Sequence, residues 1–124
     1  MSVRASCHCG AVTLTLAQAP HEVTNCNCSI CRRYGTLWAY YQASEVVVNG
    51  ATHSYVRGPE TLAFRRCVEC GVVTHWAPVR RAEDRMGINA RLLAPELLRT
   101  VAVRLLDGAV TESYLDMQGH PVFS

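Results

Sequence analysis

Residues 67–71, "CVECG", form the stretch that says most about how this chain folds. A C-x-x-C turn followed by glycine is typical of a zinc knuckle, because its backbone N–H groups can point at the sulfurs. Gly71 can adopt the positive φ that such a turn needs. A tighter version of the same arrangement, "CHCG", occurs at residues 7–10. Together the two stretches would supply the four thiolates of a closed structural zinc site: Cys7, Cys9, Cys67 and Cys70.

Between these stretches lies a third cysteine group, in residues 25–33, "NCNCSICRR". Cys26, Cys28 and Cys31 have C-x-C-x-x-C spacing, so they offer three of the four donors of a tetrahedral zinc. Three protein ligands with one open position are typical of a catalytic zinc. Alternatively, a histidine closes the site as a second structural centre, and His75 in "VTHWA" is then the first candidate. We prefer the open site.

Composition favours metal binding over disulfides. No secretory signal and no apolar run near ~20 residues is visible, so we expect a cytoplasmic protein without a membrane span. Cytoplasmic thiols stay reduced, and seven cysteines would leave one unpaired if the rest formed disulfides. We therefore expect two zinc ions per chain, with partial occupancy of the second site.

The charge pattern excludes some functions. All twelve basic residues are arginine, so Schiff-base chemistry on a lysine of this chain is excluded. A net charge of +2 is too small to indicate a nucleic-acid partner. Methionine sulfoxide reduction would need a catalytic cysteine beyond the metal ligands, and cytidine deamination would need an H-x-E motif. The sequence offers neither.

Short segments with alternating apolar and polar residues predict a single, mainly β domain over residues 1–124. Asn49-Gly50 predicts a β-hairpin, Gly58-Pro59 a turn and Asp107-Gly108 another turn. Predicted strands lie at 11–16, 36–42, 45–48, 53–57, 61–66, 72–77, 85–93, 101–106 and 109–115. Helix is predicted only at 29–34 and 94–100, where Pro95 can occupy the first helical position.

The order C-H-C-G, C-x-C-S-x-C-R and C-x-x-C-G resembles the glutathione-dependent formaldehyde-activating family, also described as centromere protein V-like. All seven cysteines match this pattern, as do Ser29 and Arg32. The resemblance implies an Mss4-like fold of small coiled antiparallel sheets. It also implies a structural zinc on the first and last cysteine groups and a second zinc on the middle group, which glutathione's thiol approaches. Arg66 departs from the pattern, because the family usually has an aromatic residue there, and Phe64 lies two places earlier.

Other side chains near the cysteines have two interpretations each. Arginine forks suit the two carboxylates of glutathione, but arginines also lie on ordinary solvated surfaces; four flank the cysteines, Arg32, Arg33, Arg65 and Arg66. Aromatic residues could line a pocket or belong to the core, namely Tyr34, Trp38, Tyr40 and Tyr41. His75 is also the candidate general acid–base.

The open three-cysteine site and the family resemblance together predict a zinc-dependent carbon–sulfur lyase or synthase. Its substrate would be a thiol–aldehyde adduct of the S-(hydroxymethyl)glutathione type, and Cys26, Cys28 and Cys31 would form the catalytic centre. The alternative is a non-enzymatic zinc module that binds protein or nucleic acid, with both zinc sites structural.

Overall fold

The structure, a computed structural model, describes residues 2–56, 62–79, 84–116 and 118–122. Within these ranges the chain is mainly β, as predicted. The strands are β1 (Val3–Ser6), β2 (Thr13–Leu16), β3 (Glu22–Cys26), β4 (Trp38–Tyr41), β5 (Val46–Asn49), β6 (Thr52–Val56), β7 (Leu62–Cys67), β8 (Val73–Pro78), β9 (Met86–Asn89), β10 (Ala102–Asp107), β11 (Ser113–Leu115) and β12 (Pro121–Val122).

Two short helices lie where the sequence predicted them. They are α1 (Cys31–Tyr34) and α2 (Pro95–Leu98), and Pro95 occupies the first helical turn. Two 3-10 turns cover Ala43–Glu45 and Ala90–Leu92. No helix among the described residues is long and apolar enough to cross a membrane.

The strands form two sheets. The smaller sheet has the antiparallel order β1-β2-β5, and the larger has the order β12-β11-β10-β3-β4-β9-β8-β7-β6. In β2 the alternation predicted from the sequence is present, since Leu14 and Leu16 are buried while Thr13 and Thr15 are half-buried. All described pairs are antiparallel except β3 with β10, which run parallel with Glu22 opposite Ala102 and Cys26 opposite Leu106.

The predicted hairpin at Asn49-Gly50 is wrong. Strand β5 pairs with β2, whereas β6 pairs with β7, so the chain passes from the small sheet to the large one at this turn. Gly50 has φ of 119°, and a Cβ there would collide with the carbonyl oxygen of Ala11. The positive φ of Gly50 is compatible with a tight turn, but burial of the flanking strands decides which strands pair. Gly58-Pro59 lies outside the described residues.

Two apolar cores separate the cysteine groups. The first contains Leu14, Leu16 and Ile88 together with Cys7 and Cys67. The second is aromatic and contains the middle cysteine group, with Trp38, Phe64 and Trp76. Because successive residues of a strand point to opposite faces, β4 contributes Trp38 to the second core and Ala39 to the first.

Candidate metal centres and the adjoining cavity

The first and last cysteine groups meet where two turns come together. Cys7 follows β1 of the small sheet, and Cys67 ends β7 of the large sheet. The sulfurs of Cys7, Cys9, Cys67 and Cys70 all lie within 4.8 Å of one another. Cys9 Sγ is 3.7 Å from both Cys7 Sγ and Cys67 Sγ.

This geometry fits one tetrahedrally coordinated ion. A zinc–sulfur bond of about 2.3 Å gives a tetrahedral edge of about 3.8 Å, close to the observed separations. A disulfide would require about 2.05 Å. Backbone N–H groups also donate to the sulfurs, from Val12 to Cys7 Sγ and from Glu69 to Cys67 Sγ, both at 3.3 Å. Hydrogen bonding by the Val72 backbone lowers the pKa of Cys70 to about 6, which favours its thiolate.

The middle cysteine group is held by three different local structures. Cys26 ends β3, Cys28 lies in the following loop and Cys31 begins α1. Their sulfurs lie within 4.8 Å of one another, and all three residues are buried. Donors again point at sulfur: Cys28 N to Cys26 Sγ at 3.4 Å, Cys31 N to Cys28 Sγ at 3.4 Å, and Trp38 Nε1 to Cys31 Sγ at 3.2 Å.

Electrostatics within this group favour a thiolate. Hydrogen bonding from Cys31 lowers the pKa of Cys26 to about 5, although burial opposes the shift, and the N–H of Cys28 adds to it. The same interaction raises the pKa of Cys31. A buried cluster that already stabilises one sulfur anion fits a cation that would stabilise all three.

In the part of the chain that the structure describes, no histidine or carboxylate joins the three sulfurs. His75 lies on β8 next to Trp76, which lines the cavity described below, whereas His75 does not. Its Nδ1 is 2.8 Å from Thr74 Oγ1. Burial, assisted by repulsion from Arg65, lowers the pKa of His75 to about 4. The structure therefore does not bring His75 to the cysteines, either as a ligand or as an acid–base group.

A cavity of about 260 Å³ opens over the three cysteines. Six of its lining residues are apolar or aromatic: Trp38, Tyr40, Leu62, Phe64, Trp76 and Leu106. The loop after β10 completes the lining with Gly108 and Glu112. A Cβ on Gly108 would lie 2.6 Å from Cys26 Sγ, so this backbone rests directly against the cysteine group.

A second hollow of about 530 Å³ lies beside the cavity. Arg33 and Arg66 both line it, together with Tyr34, whereas Arg32 and Arg65 do not. The ring of Tyr34 is 5.6 Å from that of Phe64, which lines the cavity, so this aromatic pair stands between the two spaces.

Of the aromatic residues considered from the sequence, Trp38 and Tyr40 line the cavity, whereas Tyr41 faces the first core and donates to the Gln18 carbonyl at 2.8 Å. The sequence did not single out several lining residues: Leu62, Trp76, Leu106, Gly108 and Glu112. The alternation of Leu62 with Phe64 on β7 was a usable signal, because both had to share a face. Nothing local indicated that β10 would lie beside β3.

Comparisons with known proteins identify the family of this chain. Residues 2–102 match a protein family described as glutathione-dependent formaldehyde-activating enzyme. A crystal structure of a Rhodobacter sphaeroides protein, a structural genomics target, is 32% identical in sequence and superposes with a TM-score of 0.64. The similarity covers 81% of this chain and 98% of that one. The chain therefore belongs to the glutathione-dependent formaldehyde-activating family, and its mainly β architecture is the Mss4-like fold of that family.

Proposed function

We propose that this protein is a zinc-dependent carbon–sulfur lyase or synthase, acting on a thiol–aldehyde adduct of the S-(hydroxymethyl)glutathione type. One observation carries the proposal: three buried sulfurs lie together at a cavity, and no fourth protein ligand joins them among the described residues. The proposal treats residues 1–124 as one zinc-binding domain in the cytoplasm. Cys7, Cys9, Cys67 and Cys70 would hold a structural zinc, and Cys26, Cys28 and Cys31 a second, open one.

The donor set determines the chemistry of the open site. A zinc ion there would bind an incoming thiol and favour its deprotonation. Three thiolates on one divalent ion leave a net charge of −1, which disfavours hydroxide formation and therefore hydrolysis. Trp38 Nε1 and the backbone N–H groups of Cys28 and Cys31 orient the three sulfurs through the contacts described above.

The reaction itself needs no oxidant. In the synthetic direction a bond forms between the thiol sulfur and the carbonyl carbon, and the carbonyl oxygen gains a proton; the lyase direction reverses both changes. Two lining side chains suit this proton transfer. Burial raises the pKa of Tyr40 to about 12, so its hydroxyl stays protonated at neutral pH and can donate. Glu112 supplies a carboxylate at the exposed side of the cavity that can accept.

The hollow next to the cavity supports glutathione as the thiol. Glutathione carries two carboxylates, and guanidinium groups bind carboxylates well. Arg33 and Arg66 line the hollow, and neither has a carboxylate within ion-pair distance among the described residues. Arg33 Nη1 does donate to the Ser29 carbonyl at 2.7 Å, which fixes its side chain beside the cysteine loop.

The test is a titration of cobalt-substituted protein with glutathione. Co²⁺ in a thiolate site gives ligand-field bands that change when a ligand enters, so glutathione should alter the spectrum of the three-cysteine site. S-methylglutathione is the matched control, because it keeps the peptide but has no thiol to ionise, and it should leave the bands unchanged.

Catalysis is tested separately, by NMR exchange between free glutathione with formaldehyde and their adduct. The zinc-loaded protein should accelerate the exchange, and Cys31→Ser should abolish the acceleration. An unchanged cobalt spectrum together with no acceleration would reject the proposal and favour a second structural zinc instead.

A further inference from the structure

The walls of the cavity over the three cysteines consist mainly of apolar and aromatic side chains that are closely packed. Three of its four aromatic side chains are nearly excluded from solvent, with Trp38 2%, Phe64 3% and Trp76 8% exposed. Gly87 allows the indole of Trp76 to lie against the backbone of β9, since a Cβ there would collide with Trp76 Nε1. Walls of this kind favour an apolar group over a hydrated one.

The cavity also offers more space than formaldehyde alone would fill. An apolar cavity of about 150 Å³ accommodates a benzene ring, and this one measures about 260 Å³. Formaldehyde contributes a single carbon and a single oxygen, so beside a zinc ion and the thiol sulfur it would leave part of the aromatic wall without contacts. Unfilled apolar volume forfeits dispersion contacts, so the size points to a ring rather than a hydroxymethyl group.

The charged side chains indicate which half of the thiol–aldehyde adduct lies in the cavity and which half lies in the hollow. Apart from the cysteines, Glu112 is the charged side chain among the described residues that line the cavity, and a carboxylate repels the carboxylates of glutathione. Arg33 and Arg66 lie in the hollow on the other side of the Tyr34–Phe64 pair. The peptide half therefore belongs in the hollow and the carbonyl half in the cavity.

From size, wall chemistry and charge together, we infer that the carbonyl half of the adduct carries an apolar, ring-sized group. The substrate class is an aromatic aldehyde and its thiol adduct, which extends the proposed function and rests on it. The thiol sulfur bonds to the aldehyde carbon, the carbonyl π pair moves to oxygen, and this oxygen takes up the proton that the thiol releases. Cleavage is the reverse, and neither direction consumes an oxidant.

Two stable adduct analogues test the inference on zinc-loaded protein. S-benzylglutathione and S-methylglutathione differ only by the phenyl ring. Both tryptophans of the chain line the cavity, so their fluorescence reports its occupation directly and independently of catalysis. We expect S-benzylglutathione to bind at least about tenfold more tightly, because it buries a whole ring, and to change the tryptophan emission. Equal affinities would overturn the inference.

A pair of variants tests whether the preference for the benzyl compound arises in the cavity. Leu106→Phe narrows the cavity and should remove the preference for the benzyl compound. Leu105→Phe, on the same strand but exposed, should keep it. An unchanged preference in Leu106→Phe would contradict the inference, whether or not the variants catalyse anything.

The outcomes separate this inference from the proposed function. If glutathione alters the cobalt spectrum but the two analogues bind equally, the thiol site stands and the aromatic substrate class fails. If the benzyl compound binds better but glutathione leaves the spectrum unchanged, the cavity assignment stands and the thiol chemistry fails.

Discussion

Gly108 shows how much of the candidate site depends on one missing methyl group. The glycine follows β10, and its backbone lies against Cys26 and Cys28. Asn27 fixes this loop by donating to Asp107 Oδ1 at 3.0 Å and accepting from Ala109 N at 3.1 Å. The loop and the cysteine group therefore form one closely fitted unit.

The variant Gly108→Ala should selectively weaken metal binding by the three cysteines. Its Cβ would lie 2.6 Å from Cys26 Sγ, so that sulfur must shift. Displacing a ligand through its surroundings typically costs 10- to 100-fold in affinity. Competition with a coloured chelator measures this, and one metal per chain should be released much earlier than in the wild type. The variant Ala109→Ser, at the exposed neighbouring position, should release metal as the wild type does. If Gly108→Ala also released its metal at the same chelator concentration as the wild type, the prediction would be contradicted.

His75 should make stability depend on pH in a narrow range. Its pKa is about 4 in the folded protein, below the ordinary value of about 6.5, so the unfolded chain binds more protons between these values. The free energy of unfolding should therefore fall as pH drops from about 6.5 to 4, by at most about 3 kcal/mol from this group, and should not change through this residue above pH 7.

Urea unfolding of zinc-saturated protein at pH 7 and pH 4.5 measures this dependence. The difference between wild type and His75→Gln isolates the imidazole, because acid-induced metal loss affects both proteins. The exposed His53 supplies the control His53→Gln, which should follow the wild type. Parallel curves for wild type and His75→Gln would show that the buried imidazole titrates normally.

At the scale of elements, the passage from one sheet to the other at Gly50 shows that turn residues alone do not decide which strands pair. The dipeptide Asn49-Gly50 is typical of a β-hairpin turn, yet the strands on either side of it, β5 and β6, belong to different sheets. The strand β5 pairs with β2, placing Val46 and Val48 against the first core. Burial of these side chains outweighs the local preference.

Gly50→Ala should destabilise the fold through two effects. Its φ of 119° is unfavourable for a residue with a Cβ, and that Cβ would also collide with the Ala11 carbonyl oxygen. We expect a loss of roughly 2–4 kcal/mol in the free energy of unfolding, measured with urea. Gly119→Ala is the matched control: its φ is +84°, but nothing lies within 4 Å, so it should lose only about 1 kcal/mol. Equal losses would rule out the contact with Ala11.

The same elements show what the sequence could and could not predict. The alternation of apolar and polar residues, together with the turn residues, predicted most strands, and Pro95 predicted the start of a helix. These signals lie within the segment that they describe. The strands β1, β3 and β12 were not predicted, and β9 ends at Asn89 where a longer strand was expected. Cysteine spacing predicted which sulfurs lie together, but the cavity walls come from β4, β7, β8 and β10, whose meeting depends on distant pairings. Metal binding itself stays a prediction.

For the whole molecule, the four-cysteine cluster connects the two sheets. Cys7 and Cys9 lie between β1 and β2 of the small sheet, whereas Cys67 ends β7 of the large sheet and Cys70 follows it before β8. An ion held by both turns would therefore stabilise the contact between the sheets as well as each turn.

Removing the metal should largely unfold the protein. Structural zinc can contribute about 10–16 kcal/mol in small zinc domains, comparable with the entire stability of an ordinary domain of about 5–15 kcal/mol. Thermal unfolding followed by circular dichroism, with and without a strong chelator, measures the loss. As a control, Cys31→Ser should lose only the second metal and keep its fold. A metal-free protein with an unchanged unfolding temperature would show that the two sheets hold together without the ion.

The parallel pairing of β3 with β10 also makes the cavity wall depend on a part of the chain that is synthesised late. On the ribosome, all seven cysteines have been synthesised once Cys70 emerges, so the connection between the sheets can already close. The wall beside Cys26 arrives only with β10, which pairs with residues roughly 80 positions earlier in the chain and so closes a long loop at an entropic cost. The growing polypeptide would therefore carry Cys26, Cys28 and Cys31 without this wall for a time, and the cavity would take shape only once β10 has paired with β3.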